Sequence, residues 1–310
     1  MRSRQPKVLH EVCGRPMLGF VLSACRLAGA DRLIVVVGHG REEVQRRFHA
    51  ERDITWVEQA EQKGTGHAVM CCREGLAEFA GSVLIVAGDM PLVRREMLMD
   101  LLDERERLGA ALSMATTTLA DPSGYGRIAR DAAGDIDRIV EDRNCTDEQR
   151  EIREVNPSYY CFDAHPLFAA LELLAPDPAR GEFYLTDVVA GLRASGKPVS
   201  ARINARPEEA MGINSRVDLA AVGRVMQDRL QRALLDGGVT IVDPDNTWIE
   251  ADVVVGQDTV IYPFTFVGAG ATIGEGCRIG PFAWIPRAET VGAGSEVGPI
   301  ERTRNGALAS

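Results

Sequence analysis

The amino-acid sequence predicts an α/β domain followed by a short parallel β-helix, and three observations predict it. Up to about residue 225, short apolar runs alternate with amphipathic stretches, the pattern of a mostly parallel sheet flanked by helices. From Ile249 to Val297 an aliphatic residue then returns every six positions. The length, 310 residues, suits two domains at about 150 residues each.

In chain order, the first 15 residues form a basic, proline-containing arm. An open α/β sheet normally begins with a buried strand and a glycine-rich turn, so this one is expected to start one strand late. Strands are predicted at Leu33 to Val37, Ile54 to Val57 and Val83 to Ala87. Helices are predicted at Pro16 to Leu27, with proline in the first turn, and at Arg41 to Phe48, Gly66 to Phe79 and Arg94 to Leu108. Further strands are expected at Arg127 to Arg130, Ile136 to Glu141 and Val155 to Phe162, and a helix at Gly181 to Ala194. This domain, 1–225, ends in an amphipathic linker helix over about 216–235. Over 240–310 the six-residue period runs through Ile249, Val255, Ile261, Val267, Ile273, Ile279, Ile285, Val291 and Val297. Glycine follows the aliphatic residue at 256, 268, 274, 280, 292 and 298, as a corner without room for a Cβ requires. Three hexapeptides close one coil, so this stretch supplies about three coils.

Composition narrows the functional classes. A formal charge of -10 argues against a general polyanion-binding surface, so no nucleic-acid partner is expected. No apolar run reaches the ~18 residues of a membrane span, and MRSRQPKVLHEV lacks the apolar segment of a secretory signal. The seven cysteines are odd in number and without CxxC spacing, which fits a reducing cytoplasm rather than a zinc site or disulfide framework. The five histidines are scattered, without the logic of a hydrolase triad.

Several short stretches carry chemistry. In Gln59-Ala-Glu-Gln-Lys-Gly-Thr-Gly-His67, Gly64 and Gly66 permit close backbone approach to a ligand ahead of a helix N-terminus. Taken alone, the turn serves equally as a plain strand-to-helix connection. Asp89, in Val83-Leu-Ile-Val-Ala-Gly-Asp-Met-Pro91, follows a buried strand at the sheet edge where ligands and Mg²⁺ gather; capping the turn before Pro91 is the simpler role. Lys7 matters if the arm crosses a phosphate site, and is otherwise solvated. Ser123-Gly-Tyr-Gly-Arg-Ile128 with Glu141 reads as a hairpin turn and a carboxylate, while Asn156 and Asn214 are neutral oxygen donors or caps at element ends.

Taken together, PKVLH (6–10), QAEQKGTGHA (59–68), GDMPL (88–92), PSGYGRI (122–128), VE (140–141), GEFYLTD (181–187) and GIN (212–214), ahead of hexapeptide repeats, resemble bacterial N-acetylglucosamine-1-phosphate uridyltransferases that also acetylate glucosamine 1-phosphate. The resemblance covers nearly the whole chain. It implies a Rossmann-like nucleotidyltransferase domain followed by a left-handed parallel β-helix. The implied reaction joins UTP to N-acetylglucosamine 1-phosphate and releases pyrophosphate, for cell-wall precursor synthesis. It further implies that Lys7 neutralises phosphate, that Gln59, Gly64 and Thr65 contact uracil, that Gly88 also binds substrate, and that Asp89 with Asn214 holds Mg²⁺. Gly126, Glu141 and Asn156 would surround the sugar. Packing of β-helices side by side implies a homotrimer, expected to be weak with about three coils.

Three departures from the family pattern set further expectations. The family opens with a strand and a glycine-rich loop ending Gly-Thr-Arg-Met that holds the triphosphate, and Met1 matches the last residue of that loop. Either the true start lies upstream, or the chain is a catalytically impaired homologue acting in binding or assembly. The family's Asn-Thr/Ser-Gly is here Asn156-Pro157-Ser158, and a residue before proline is conformationally restricted. No histidine follows His165, and Pro286-Arg287-Ala288 replaces an Arg-Pro-Gly, so acetyl transfer is not expected.

Overall fold

The computed structural model describes residues 1–299, which divide into two compact units. One comprises 2–9 and 18–212, the other Met1, 10–17 and the chain from Ile213 onward.

The chain begins with a hairpin, β1 (Glu11–Val12) and β2 (Arg15–Pro16), and helix α1 (Met17–Leu27). Strands β3 (Leu33–Val37) and β4 (Ile54–Glu58), separated by α2 (Arg41–Arg47), form a parallel pair. Next come α3 (Thr65–Met70), β5 (Ser82–Val86), α4 (Arg95–Leu108), β6 (Leu112–Thr118), β7 (Gly126–Arg130) and β8 (Ile136–Val140). The domain continues through α5 (Asp147–Arg150), β9 (Glu154–Asn156), β10 (Tyr159–Asp163), α6 (Ala164–Glu172), α7 (Asp187–Ala194) and β11 (Val199–Ile203). A seven-stranded sheet runs β5-β10-β6-β9-β7-β8, with β11 parallel to β6.

Apart from β3–β4 and β6–β11, the pairs of this unit are antiparallel, where the sequence suggested a mostly parallel sheet. The cause is the run after residue 110, where hairpin-like returns replace helical crossovers. Helix α1 covers both groups of strands: Leu18 and Leu22 pack with Leu33 and Val37, while Val21 and Ala24 join Leu84 and Val86 of β5.

Three predicted elements differ in detail. The Gly66 to Phe79 helix stops at Met70 and resumes as a single 3₁₀ turn at Glu74–Leu76. The Val155 to Phe162 strand is broken at Pro157, which has no N–H for the ladder, and at Ser158, which sits at φ +64°. The helix expected from Gly181 begins only at Asp187, because residues 183–185 are bonded to the loop at 63–66 instead.

In the second unit, the long helix α8 (Arg216–Asp236) opens with a capping box between Ser215 and Asp218. Its buried Gln227 bonds both backbone groups of Ile249, and Cys13 of the hairpin accepts from Gln227 at 3.2 Å. The β-helix that follows is built of two-residue strands: β12 (Thr240–Ile241), β13 (Trp248–Ile249), β14 (Val254–Val255), β15 (Val260–Ile261), β16 (Phe266–Val267), β17 (Thr272–Ile273), β18 (Arg278–Ile279), β19 (Trp284–Ile285), β20 (Thr290–Val291) and β21 (Glu296–Val297). They stack in three parallel ladders, β12-β15-β18-β21, β13-β16-β19 and β14-β17-β20, in which residue i from Trp248 onward faces residue i+18. Three hexapeptides therefore make one coil, and the periodic aliphatic residues point inward: all are buried except Val255, which is half-buried. The corner residue three places after each of them, from Asp252 to Gly294, lies at positive φ in every repeat.

Candidate active site

The first part of the site grows from the end of β5. The apolar run Val83–Val86 commits that segment to the sheet, and Gly88 follows it beside Leu18 and Val8, whose side chains a Cβ would meet at the ordinary contact distances of 3.4 and 3.6 Å. Asp89 is thereby left at the strand's carboxyl end with its side chain about one-fifth exposed. Lys7, on a 3₁₀ turn of the arm (Lys7–Leu9), donates from Nζ to Asp89 Oδ2 at 2.5 Å. The two residues expected to act on phosphate are thus in direct contact, although 82 positions separate them.

The glycine turn is braced from its own side. Gln59 donates from Nε2 to the Gly64 carbonyl at 3.0 Å and contacts His67 Nδ1 at 3.0 Å. Gly64 lies at φ +94°, and a Cβ there would meet the Phe183 carbonyl oxygen at 2.5 Å. Gly66 N–H donates to that same carbonyl, Phe183 N–H to Lys63 O, and Leu185 N–H to Thr65 Oγ1. The glycines therefore serve close backbone packing of the 181–187 stretch, and Thr65 remains exposed beside it. A shallow cleft of about 610 Å³ adjoins Gln59, lined by Gly38, His39, Gly40, Arg41, Glu58 and Gln62 among others.

The third part sits at one end of the β7–β8–β9 ladder. Gly126 faces Asn156 across β7 and β9, Arg127 faces Val140, and Glu141 follows Val140 directly. The ladder register thus gathers Gly126, Glu141 and Asn156, as the sequence implied for a sugar site. Thr186, buried just before α7, donates from Oγ1 to Glu141 Oε1 at 2.8 Å. Next to it, burial holds the Asp187 carboxyl above the usual range, and the charges of Glu141 and Asp177 raise it further. Arg143 lies over the Tyr184 ring at 4.7 Å from its centroid and brings positive charge to the same loops. Sequence reading quoted Thr186 within GEFYLTD without giving it a role; its partner lies 45 residues away, and no local pattern announces such a bond.

Asn214 belongs to the other unit, where it is exposed ahead of α8; its N–H donates to Asp218 Oδ2 and its carbonyl accepts from the Met1 amino group. Asp89 by itself fits Mg²⁺, an ion that takes one or two carboxylates and completes its shell with water and substrate phosphate oxygens. Among the described residues no group of three or more His, Cys, Asp or Glu able to hold a metal occurs.

A carboxylate and a lysine thus meet at the carboxyl end of β5. The α/β unit and the hexapeptide repeats that follow it are those of a nucleotidyltransferase. The chain belongs to the family of MobA-like NTP transferase domains, whose model matches residues 1–199, and bacterial transferase hexapeptide repeats match residues 252–287. Among curated relatives, the bifunctional protein GlmU of Heliobacterium modesticaldum is 47% identical over 267 residues, covering 86% of this chain and 58% of the relative. The protein of that name from Geotalea daltonii is 44% identical, covering 85% and 58%, and that of Thermobifida fusca 45%, covering 86% and 56%. The chain thus spans less than two thirds of the length of these relatives. Among solved structures, a UDP-glucose pyrophosphorylase complexed with UDP-glucose superposes with a TM-score of 0.57 at 14% identity, covering 72% of this chain and 91% of that one, a likeness of fold.

Proposed function

We propose that the chain transfers a uridylyl group from UTP to N-acetylglucosamine 1-phosphate, with Mg²⁺, giving UDP-N-acetylglucosamine and pyrophosphate. The observation that carries this reading is the Lys7–Asp89 pair at the end of β5, together with the Gly126, Glu141 and Asn156 cluster. Support for the substrates comes from the 43–47% identity with bifunctional GlmU proteins. In this reaction a phosphate oxygen of the sugar phosphate attacks the α-phosphorus of UTP. The bond from that phosphorus to the α–β bridging oxygen breaks, and pyrophosphate leaves with the electron pair. The nucleophile is already an anion, so no histidine base is required; positioning and charge neutralisation are. Lys7 supplies a compact positive charge to the phosphates. Asp89 would hold the metal, with Asn214 the second oxygen donor assigned by the family resemblance; when bound, Mg²⁺ neutralises charge developing on the phosphate oxygens. Gln59, Gly64 and Thr65 form the uracil side, Gly88 lies against the substrate, and Glu141, oriented by Thr186, takes the sugar hydroxyls. The setting is cytoplasmic, where seven free thiols persist and where cell-wall precursors begin from UTP.

The test is pyrophosphate release from UTP with N-acetylglucosamine 1-phosphate, glucose 1-phosphate or no acceptor. Release that depends on the N-acetylated acceptor and on Mg²⁺ supports the reading. Equal release with glucose 1-phosphate would leave the nucleotidyltransferase and discard the sugar.

The β-helix is proposed to assemble as a homotrimer. One of its faces carries Trp248, Phe266 and Trp284 in register, one per coil, and the exposed rings of Phe264 and Phe282 stack 5.0 Å apart at its edge. An apolar face of this kind is one that water disfavours leaving open. Trp284→Glu is expected to move the mass seen by sedimentation from trimer toward monomer. A trimer unmoved by the substitution would put the interface elsewhere, and a monomeric parent protein would end the proposal.

A further inference from the structure

Among the buried titratable groups that the proposed chemistry does not use, Tyr160 touches the proposed sugar cluster. It lies on β10, between β5 and β6, 3% exposed, with its ring 5.8 Å from that of Phe162. Burial pushes its phenol up, so it stays protonated at neutral pH.

Its hydroxyl accepts a hydrogen bond from Asn156 Nδ2 at 2.6 Å, while Asn156 Oδ1 accepts from the Ser158 N–H at 3.0 Å. The second bond decides the orientation of the amide. Were Asn156 flipped, its NH₂ group would face the Ser158 N–H, donor against donor. Nδ2 must therefore point at Tyr160, and the phenol oxygen must act as acceptor. Ser158 can present its N–H in this way because the turn places it at φ +64° straight after Pro157. A side-chain amide has two N–H donors and two acceptor lone pairs. Here one donor and one lone pair are engaged within the turn, leaving one of each on a side chain that is 6% exposed and faces Gly126.

We infer that Tyr160 is a positioning residue for sugar recognition, its hydroxyl holding the Asn156 amide so that a single N–H is offered to an oxygen of the sugar phosphate. This rests on the proposed function, which assigns the Gly126, Glu141 and Asn156 cluster to the sugar. The arrangement replaces the freedom that a glycine two residues after the asparagine would give: proline, serine and tyrosine together fix one amide pose, lowering the ordering cost of binding.

The test is steady-state kinetics with each substrate varied separately. Wild-type protein is measured first, so that absence of turnover there is read as failure of the proposed function, with this inference falling alongside it. Given wild-type turnover, Tyr160→Phe is expected to raise KM for N-acetylglucosamine 1-phosphate about tenfold and to leave KM for UTP within about twofold. Asn156→Ala should raise the same KM at least as far, and the double variant should be no worse than Asn156→Ala alone. Unchanged kinetics in Tyr160→Phe, a parallel rise in both KM values, or additive effects in the double variant would each overturn the inference. Should Tyr160→Phe fail to fold, Asn156→Asp, which removes the donor and leaves the phenol in place, decides by the same split between the two KM values.

Discussion

Asp89→Asn is expected to lower the rate of pyrophosphate release by about 10³-fold in a protein that still folds. The argument starts from the contact with Lys7 Nζ at 2.5 Å. Without ligand, each of these groups is the other's neutralising partner. In the proposed reaction a nucleoside triphosphate would offer Lys7 several phosphate oxygens and its divalent cation would offer Asp89 a double charge, each stronger than the partner it replaces. Replacing the carboxylate by an amide retains shape and one oxygen but removes the charge that holds the cation. About 4 kcal/mol of electrostatic stabilisation at the phosphates corresponds to that 10³-fold. Lys7→Met should cost somewhat less, about 10²-fold, and act mainly on KM for UTP, because the lysine is a point charge rather than a metal ligand. Both side chains are partly exposed, so neither variant should shift the melting midpoint by more than a few degrees. A rate for Asp89→Asn within tenfold of wild type would remove Asp89 from the chemistry. The double variant carries separate information: in residues that act on one charged site, the two losses should sum to less than their separate values.

What could be read ahead of the structure differed sharply between the units. In the β-helix the periodic aliphatic residues were legible, because the period of six is imposed by geometry that repeats with each side of the coil, whereas the buried Ala271, Cys277 and Ala283 beside them were not. The place of Asp89 at a strand end was legible for a related reason: it follows an uninterrupted apolar strand and Gly88. Strand β6 was not foreseen, although it lies inside the sheet with Leu112 to Thr117 all buried. Its sequence, LSMATTT, has neither alternation nor an aliphatic run, and three of its buried residues are Ser113, Thr116 and Thr117. Thr116 reaches Glu154 at 2.6 Å, so tertiary hydrogen bonding rather than local pattern qualifies it for the interior. The hydrogen bonds of Thr186 and Tyr160 escaped for the same kind of reason: one joins residues 45 apart in the chain and the other crosses the Pro157–Ser158 turn, and single-residue preferences write neither.

The glycines of the β-helix carry the second large prediction. Gly274→Ala is expected to destabilise the β-helix by about 3 kcal/mol. A Cβ at this position would lie 2.5 Å from Ala293 N and 2.6 Å from Ala293 Cα, backbone atoms of the adjacent coil. Backbone cannot rotate away as a side-chain end can, so the coils must part, and the bond from Gly274 N–H to the Val291 carbonyl, 2.9 Å long, stretches with them. Gly256→Ala meets the same obstacle at Glu275 N, 2.4 Å away, and should behave alike. Gly270→Ala separates sterics from conformation, since nothing lies within 4 Å of its Cβ but φ is +71°; its cost should be about 1–2 kcal/mol from the left-handed backbone alone. Denaturant midpoints for the three variants thus have a required order, with 256 and 274 lowest and 270 between them and wild type. Equal effects at 274 and 270 would mean that the left-handed backbone, not the neighbouring coil, sets the demand for glycine at these corners.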